Sequence, residues 1–304
     1  MKKIIKIFFL FFLFFPNIIY PQPQFTFPNF EIYSKDQTQA NNVAKILNSS
    51  YKDLSSFFND SLSHIVTVFV VDSEAEFNKL LGENFPDWGI GVAIPDHYLI
   101  VLKNPKFFHY DKPIEKVARH ELAHIFIHNK VKGNQIPRFL DEGLAMRLSF
   151  EWEFGQDIAV ARAVLTNSII PLYRIESVNS FKSGKAELSY LESSLAVNYF
   201  LNEYGKENLD TLFFYLSLNS GIDKALMKSI GIDYNGFEKE FASYIKEKYK
   251  VISLLGDTFL FWLGLAFLII LIYFLKRWRN KKILERWERE EKLGRYDDLE
   301  ENKT

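Results

Sequence analysis

The sequence predicts an α+β protein, with a small mixed β-sheet lobe, then a helical lobe, then one C-terminal transmembrane helix. Runs rich in β-branched residues, such as residues 64–71 (HIVTVFVV), lie in the first third of the chain. From residue 113 onward, apolar residues recur at helical spacing. Residues 258–275 form an apolar run of 18 residues without a charge, which as a helix reaches about 27 Å.

The elements follow from these patterns in chain order. Apolar residues three and four apart predict the first long helix, and a Ser-x-x-Glu capping pattern opens the next one at Ser73. Because no long flexible linker divides the two lobes, residues 25–251 are predicted to form one unit. We predict strands at 25–33, 64–71, 89–93 and 98–102, and helices at 38–58, 73–81, 113–129, 137–151, 156–166, 187–205, 207–219, 222–229 and 235–249.

The N-terminus is typical of an export signal. Three lysines precede the uninterrupted apolar run of residues 7–15, which Pro16 ends. Such a run is too short to span a bilayer and suits the hydrophobic core of a signal peptide. Residues 1–24 are therefore predicted to be a signal peptide or N-terminal hydrophobic segment. No A-x-A-like pair follows, which leaves cleavage open.

The C-terminus predicts an anchor in the cell membrane. Five basic residues follow the apolar run of 258–275 within residues 276–282, which by the positive-inside rule places this end in the cytoplasm. The domain at 25–251 is then extracytoplasmic and the charged tail at 276–304 cytoplasmic. We expect the tail to be a solvated helix that frays into disorder.

Composition excludes several classes of protein. The 37 Lys and Arg against 38 Asp and Glu give a formal net charge of −1, which argues against a nucleic-acid partner. The 16% aromatic content argues against a disordered chain. The sequence has no Cys, so disulfides, thiol catalysis and thiolate metal ligands are excluded. The oligomeric state is left open.

A metal-binding pattern lies in the predicted helix 113–129. His120, Glu121 and His124 form H-E-x-x-H, which places both imidazoles on one helical face, where they can bind a single zinc ion. Glu121 projects beside that ion, where a base acting on bound water belongs. A catalytic zinc needs a third protein ligand, and Glu142 begins an E-G-x-A pattern on the next helix.

This combination of H-E-x-x-H and E-G-x-A resembles the gluzincin metallopeptidases, and most closely the peptidase MA-like group. The flanking segments are similar as well, so the resemblance covers roughly residues 60–245. It implies a zinc site between the two lobes, with His120, His124 and Glu142 as ligands and Glu121 as general base and acid. It also implies a peptide or protein substrate.

The sequence departs from relatives in two places. Four residues after Glu142 stands Met146, so the E-x-x-x-D of thermolysin-type enzymes is absent, and the carboxylate that orients a zinc histidine must come from elsewhere. The G-x-M-E-N motif of aminopeptidase-N-like enzymes is absent too, which tilts the expectation weakly toward endopeptidase action.

Three further features have two readings each. Tyr190 occupies a place where gluzincin-like families put a tyrosine that donates to the oxyanion, although a packed helix residue is the alternative. His128 is about 12 Å along the helix from His120, too far to share an ion, and is expected at the surface or behind a ligand. Residues 98–102 could be an edge strand that pairs with substrate, or a plain sheet edge.

The sequence thus favours a membrane-anchored zinc metallopeptidase that hydrolyses peptide bonds by zinc-activated water, with Glu121 as general base. An inactive zinc-containing binding or scaffold domain of the same fold is the alternative. An intramembrane protease is excluded because Arg119, Glu121 and Lys130 make the motif helix a water-soluble amphipathic one.

Overall fold

A computed structural model describes residues 24–81, 89–151, 155–180, 183–255 and 258–301. The chain divides into two compact units, one formed by Met1–Phe154 with Ile170–Tyr244 and the other by Gly155–Ile169 with Ile245–Thr304. The predicted signal segment at 1–24 lies, apart from Gln24, outside the described residues.

The first unit contains a five-stranded mixed sheet with strand order β1-β2-β3-β5-β4. Its inner pairs, β2 with β3 and β3 with β5, are parallel, and its outer pairs are antiparallel. The predicted strand at 25–33 is a hairpin of two strands. The bounds are β1 Gln24–Phe27, β2 Phe30–Tyr33, β3 Val66–Val71, β4 Gly91–Ile94 and β5 Leu99–Lys103.

The predicted edge strand at 98–102 is wrong. Strand β5 lies inside the sheet, because it pairs with β3 on one side and β4 on the other. The edge on this side of the sheet is β4, and the short 3₁₀ turn Pro95–His97 with the left-handed residue Tyr98 connects it to the antiparallel strand β5. Pairing order is a long-range property that local sequence patterns do not carry.

The helices of the first unit lie between the strands in the chain and after the last strand. Helix α1 (Gln37–Phe58) begins where the Asp36 carboxylate accepts from the Thr38 amide at 2.8 Å, and it ends at left-handed Asn59. Its apolar face is buried. The other helices are α2 Glu74–Leu81, α3 Ile114–Lys130, α4 Arg138–Leu148, α6 Ser183–Ser217 and α7 Ile222–Ile230.

Several helical boundaries differ from the expected ones. The predicted helix 137–151 ends three residues early, at Leu148. The predicted break between helices 187–205 and 207–219 is confirmed, because Gly205 has the non-helical angles φ 83° and ψ 171° within Ser183–Ser217. The overall prediction of a mixed sheet part and a helical part is confirmed.

The second unit contains α5 (Gln156–Leu165), the end of α8 (Tyr234–Leu255) and α9 (Thr258–Glu301). Within α9, the segment Phe261–Glu290 is long and apolar enough to cross a membrane, and its most apolar stretch is not buried. This fits a membrane anchor. Helix α9 continues through the charged tail to Glu301, the last residue that the structure describes.

Candidate metal centre

Two helices of the first unit supply the candidate ligands. His120 and His124 lie one turn apart on α3, so both imidazoles project from the same side. Their ring centroids are 4.8 Å apart. Glu142 lies one turn into α4, which begins directly after Pro137. The structure therefore brings together the three residues that the sequence motif singled out.

The three ligand atoms have the spacing that a metal ion requires. Nε2 of His120 lies 3.4 Å from Oε2 of Glu142, and Nε2 of His124 lies 3.6 Å from the same oxygen. All three ligand atoms fall within 4.8 Å of one another. Zinc bonds of about 2.1 Å in tetrahedral directions separate ligand atoms by about 3.4 Å. His120, His124 and Glu142 could therefore hold a metal ion, and the donor set suits zinc.

A carboxylate behind His124 orients its ring. Nδ1 of His124 donates to Oδ1 of Asp141 at 2.7 Å. This bond fixes the tautomer and leaves the Nε2 lone pair directed toward Glu142. Asp141 is buried and directly precedes Glu142 on α4. It is the orienting carboxylate whose place the missing E-x-x-x-D pattern left open.

A second carboxylate stands behind His120. Oε1 of Glu151 lies 2.9 Å from Nδ1 of His120, and Oε2 accepts from Nζ of Lys112 at 2.7 Å. Glu151 follows Phe150, whose φ of 56° turns the chain back at the end of α4. Non-glycine residues rarely adopt this conformation. The sequence offered no signal for Glu151, because its position depends on that turn.

Opposite charges in the centre shift the pKa values of the candidate ligands and so favour their ionised forms. Burial raises the pKa of Glu142, but His124, His120 and Arg138 hold it well below its usual range. Burial lowers the pKa of His120, yet the Glu151 and Glu142 carboxylates raise it to about 9. Protons and a metal ion therefore compete for the same imidazole nitrogens.

Glu121 lies beside the ligands, on the same helix. It is buried, and burial raises its pKa against the opposing effect of His120 and His124. Edge strand β4 passes directly over it at Gly91. A Cβ atom on Gly91 would lie 2.9 Å from Cγ and 3.0 Å from Oε1 of Glu121. Glycine at this position lets the sheet edge approach the carboxylate.

Gly143 brings α4 close to α6. A Cβ atom on Gly143 would lie 2.3 Å from the backbone oxygen of Ser193, closer than any real contact. The glycine in the E-G-x-A pattern is therefore required by the close approach of α6. The same approach brings Tyr190, three residues earlier on α6, toward the metal centre.

Tyr190 and Arg138 meet beside Glu142. Nη2 of Arg138 lies 2.9 Å from Oε1 of Glu142, and the guanidinium charge also acts on the nearby Tyr190 phenol. Burial, followed by the Glu142 charge, raises the pKa of Tyr190 to about 12. The phenol therefore keeps its proton at neutral pH. Arg138 was not singled out from the sequence, although its place one turn before Glu142 could have indicated it.

His128 contacts a residue behind the centre, as one of its two readings expected. Its Nε2 donates to Oδ2 of Asp141 at 3.2 Å, so the carboxylate bridges His124 and His128. His128 is part-buried and is not among the residues that could hold the ion.

Comparison with known proteins agrees with this geometry. The profile of the family described as the Peptidase MA superfamily matches residues 54–247. The match contains β3 to β5, the H-E-x-x-H helix, and α4 to α7 with most of α8. A search among curated proteins finds no significant match. Because the profile covers more than half of the chain, this protein belongs to the peptidase MA superfamily.

Proposed function

We propose that this protein is a membrane-anchored zinc metallopeptidase. The observation that carries the proposal is the spacing of His120 Nε2, His124 Nε2 and Glu142 Oε2 around one point, with carboxylates behind both histidines. Membership of the superfamily suggests a metallopeptidase-like domain. The span in α9 is compatible with anchoring, and we propose that residues 25–251 face the extracytoplasmic side.

His120, His124 and Glu142 would hold the zinc ion. When bound, zinc supplies a Lewis acid that polarises the scissile carbonyl and acidifies water. The hydrogen bond to Asp141 keeps the His124 imidazole in the ligating tautomer, with Nε2 toward the ion. The Glu151 carboxylate, 2.9 Å from Nδ1 of His120, favours a proton on that nitrogen by its charge. Glu142 ligates through Oε2, since Oε1 faces Arg138.

Glu121 is the proposed general base. Its carboxylate is buried beside the ligand set, and its raised pKa suits a group that accepts a proton from water and returns it to the leaving amine. Tyr190 is the proposed donor to the oxyanion, because its phenol keeps its proton at neutral pH. In this scheme both groups act on the same scissile peptide bond.

Strand β4 is the proposed platform for the substrate. It is one of the two edge strands of the sheet, its residues are partly exposed, and Gly91 places its backbone against Glu121. An extended peptide can pair with such an edge through backbone hydrogen bonds. A scissile bond held there would lie beside the general base.

The proposal is tested with the purified full-length protein in detergent and a mixed peptide library. We expect cleavage that a chelator abolishes and that zinc restores, with His120→Ala inactive. A zinc-loaded protein that cleaves nothing across the library would contradict the enzymatic proposal and favour a binding or scaffold role.

A further inference from the structure

The two carboxylate oxygens of Glu142 have different neighbours. Oε2 faces the ligating nitrogens of His120 and His124, at 3.4 and 3.6 Å. Oε1 lies 2.9 Å from Nη2 of Arg138. A guanidinium bonded to one oxygen of a carboxylate disfavours metal binding through that oxygen, and ligation through the other oxygen alone would leave a coordination position open.

The backbone of Arg138 is held independently of Glu142. Its amide donates to Oε1 of Glu176 at 2.8 Å, which caps the start of α4. The Arg138 side chain is two-thirds buried, at 33% exposure. Burial lowers the pKa of Arg138, but Glu142 and other neighbours raise it above its usual value. The cation is thus directed into the centre.

The same guanidinium reaches α6. Burial and the Glu142 charge raise the pKa of the Tyr190 phenol, whereas the Arg138 cation lowers it, so one cation acts on both a proposed metal ligand and the proposed oxyanion donor. An arginine can do this because its planar fork offers several donors in fixed directions. A lysine ammonium lacks that fork, so charge alone does not replace it.

We propose that Arg138 is a positioning residue that holds Glu142 in one-oxygen ligation and is itself steadied by Tyr190. This inference rests on the proposed metal centre and does not require that the protein cleave peptides. Its tests therefore use metal binding, so that failure of the peptidase proposal and failure of this inference can be told apart.

The first test measures zinc and cobalt binding to the metal-free full-length protein in detergent. Arg138→Gln and Arg138→Lys should each weaken zinc binding about 10- to 100-fold, the usual effect of losing an outer partner of a ligand. The cobalt form should lose the intense visible bands of four-coordinate Co²⁺ as Glu142 begins to bind through both oxygens. If Arg138→Gln does not fold, Arg138→Lys keeps the charge and gives the same readout.

Arg147→Gln is the matched control. Arg147 is also on α4, about 140° around the helix from Glu142, and burial lowers its pKa. We expect zinc affinity and the cobalt spectrum of this variant to equal those of the wild type. Unchanged affinity and spectrum in both Arg138 variants would overturn the inference, whether or not the wild type is an active peptidase.

The second test examines the link to Tyr190. Tyr190→Phe should weaken zinc binding a few-fold in the wild type, because the guanidinium loses one contact. In the Arg138→Gln background the same change should have no effect, since the contact is already gone. Additive effects of the two substitutions on zinc affinity would show that Tyr190 does not act through Arg138.

Discussion

Nδ1 of His124 donates to Oδ1 of Asp141 at 2.7 Å, so the residue just before Glu142 orients a histidine of the preceding helix. Two consecutive residues of α4 therefore supply the candidate ligand Glu142 and the Asp141 carboxylate, which orients the candidate ligand His124. The spacing between the two helices and the orientation of the imidazole depend on each other. Several predictions about the metal centre rest on this arrangement.

Asp141→Asn should weaken zinc binding about 10- to 100-fold, because the amide removes the negative charge that supports the His124 ring. The measurement is competitive titration of the full-length protein with a zinc indicator. Asp111→Asn, at an exposed position, serves as the control. Equal affinities for wild type and Asp141→Asn would contradict an orienting role for Asp141.

Gly143→Ala should destabilise the protein by about 1–3 kcal/mol or more, because the new methyl group cannot fit against the Ser193 backbone. Shifting α4 should also displace Glu142 and weaken zinc binding. Chemical unfolding and zinc titration measure the two effects. Gly184→Ala, where a Cβ atom meets nothing within 4 Å, should be neutral or slightly stabilising. Similar stability of the two variants would argue against close packing of α4 on α6.

Gly91→Ala should lower the rate of peptide cleavage and leave zinc content unchanged. The added methyl group would lie 3.0 Å from Oε1 of Glu121 and push the carboxylate from its place, while the ligands on α3 and α4 keep their contacts. Steady-state kinetics and metal analysis measure the two quantities. Loss of zinc together with activity would mean that Gly91 supports the centre as a whole rather than the base.

Glu192→Gln should make the protein more stable at alkaline pH. Burial raises the pKa of Glu192 from 4.5 to about 8, although the Ile170 amide donates to its carboxylate. The folded protein therefore holds a proton that the unfolded chain releases, and stability falls as pH rises from about 4.5 to 8.

Because a glutamine side chain does not titrate, the variant does not lose stability in this pH range. Above pH 8 its free energy of unfolding should exceed that of the wild type by at least about 2 kcal/mol. At pH 4.5 the two should be nearly equal. Urea unfolding across this range makes the comparison, with exposed Glu187→Gln on the same helix as control. A constant difference between variant and wild type at every pH would contradict a buried neutral Glu192.

The sequence predicted the ligand-bearing part of the centre because its geometry is local. The spacing of His120 and His124 determines a shared helical face, and Glu142 follows on the next helix. Glu151 could not be predicted, because it reaches His120 only through the positive-φ turn at Phe150. The edge strand was misplaced because strand order is set by pairing across the sheet.

The central claim is that Glu121 acts as the base of a zinc peptidase, and Glu121→Gln tests it most directly. Zinc content and peptide cleavage should be measured together on the full-length wild type, on this variant, and on Glu115→Gln, an exposed control on the same helix. We expect one zinc per chain in all three proteins, with cleavage lost only in Glu121→Gln. Cleavage by zinc-loaded Glu121→Gln at the wild-type rate would contradict the account.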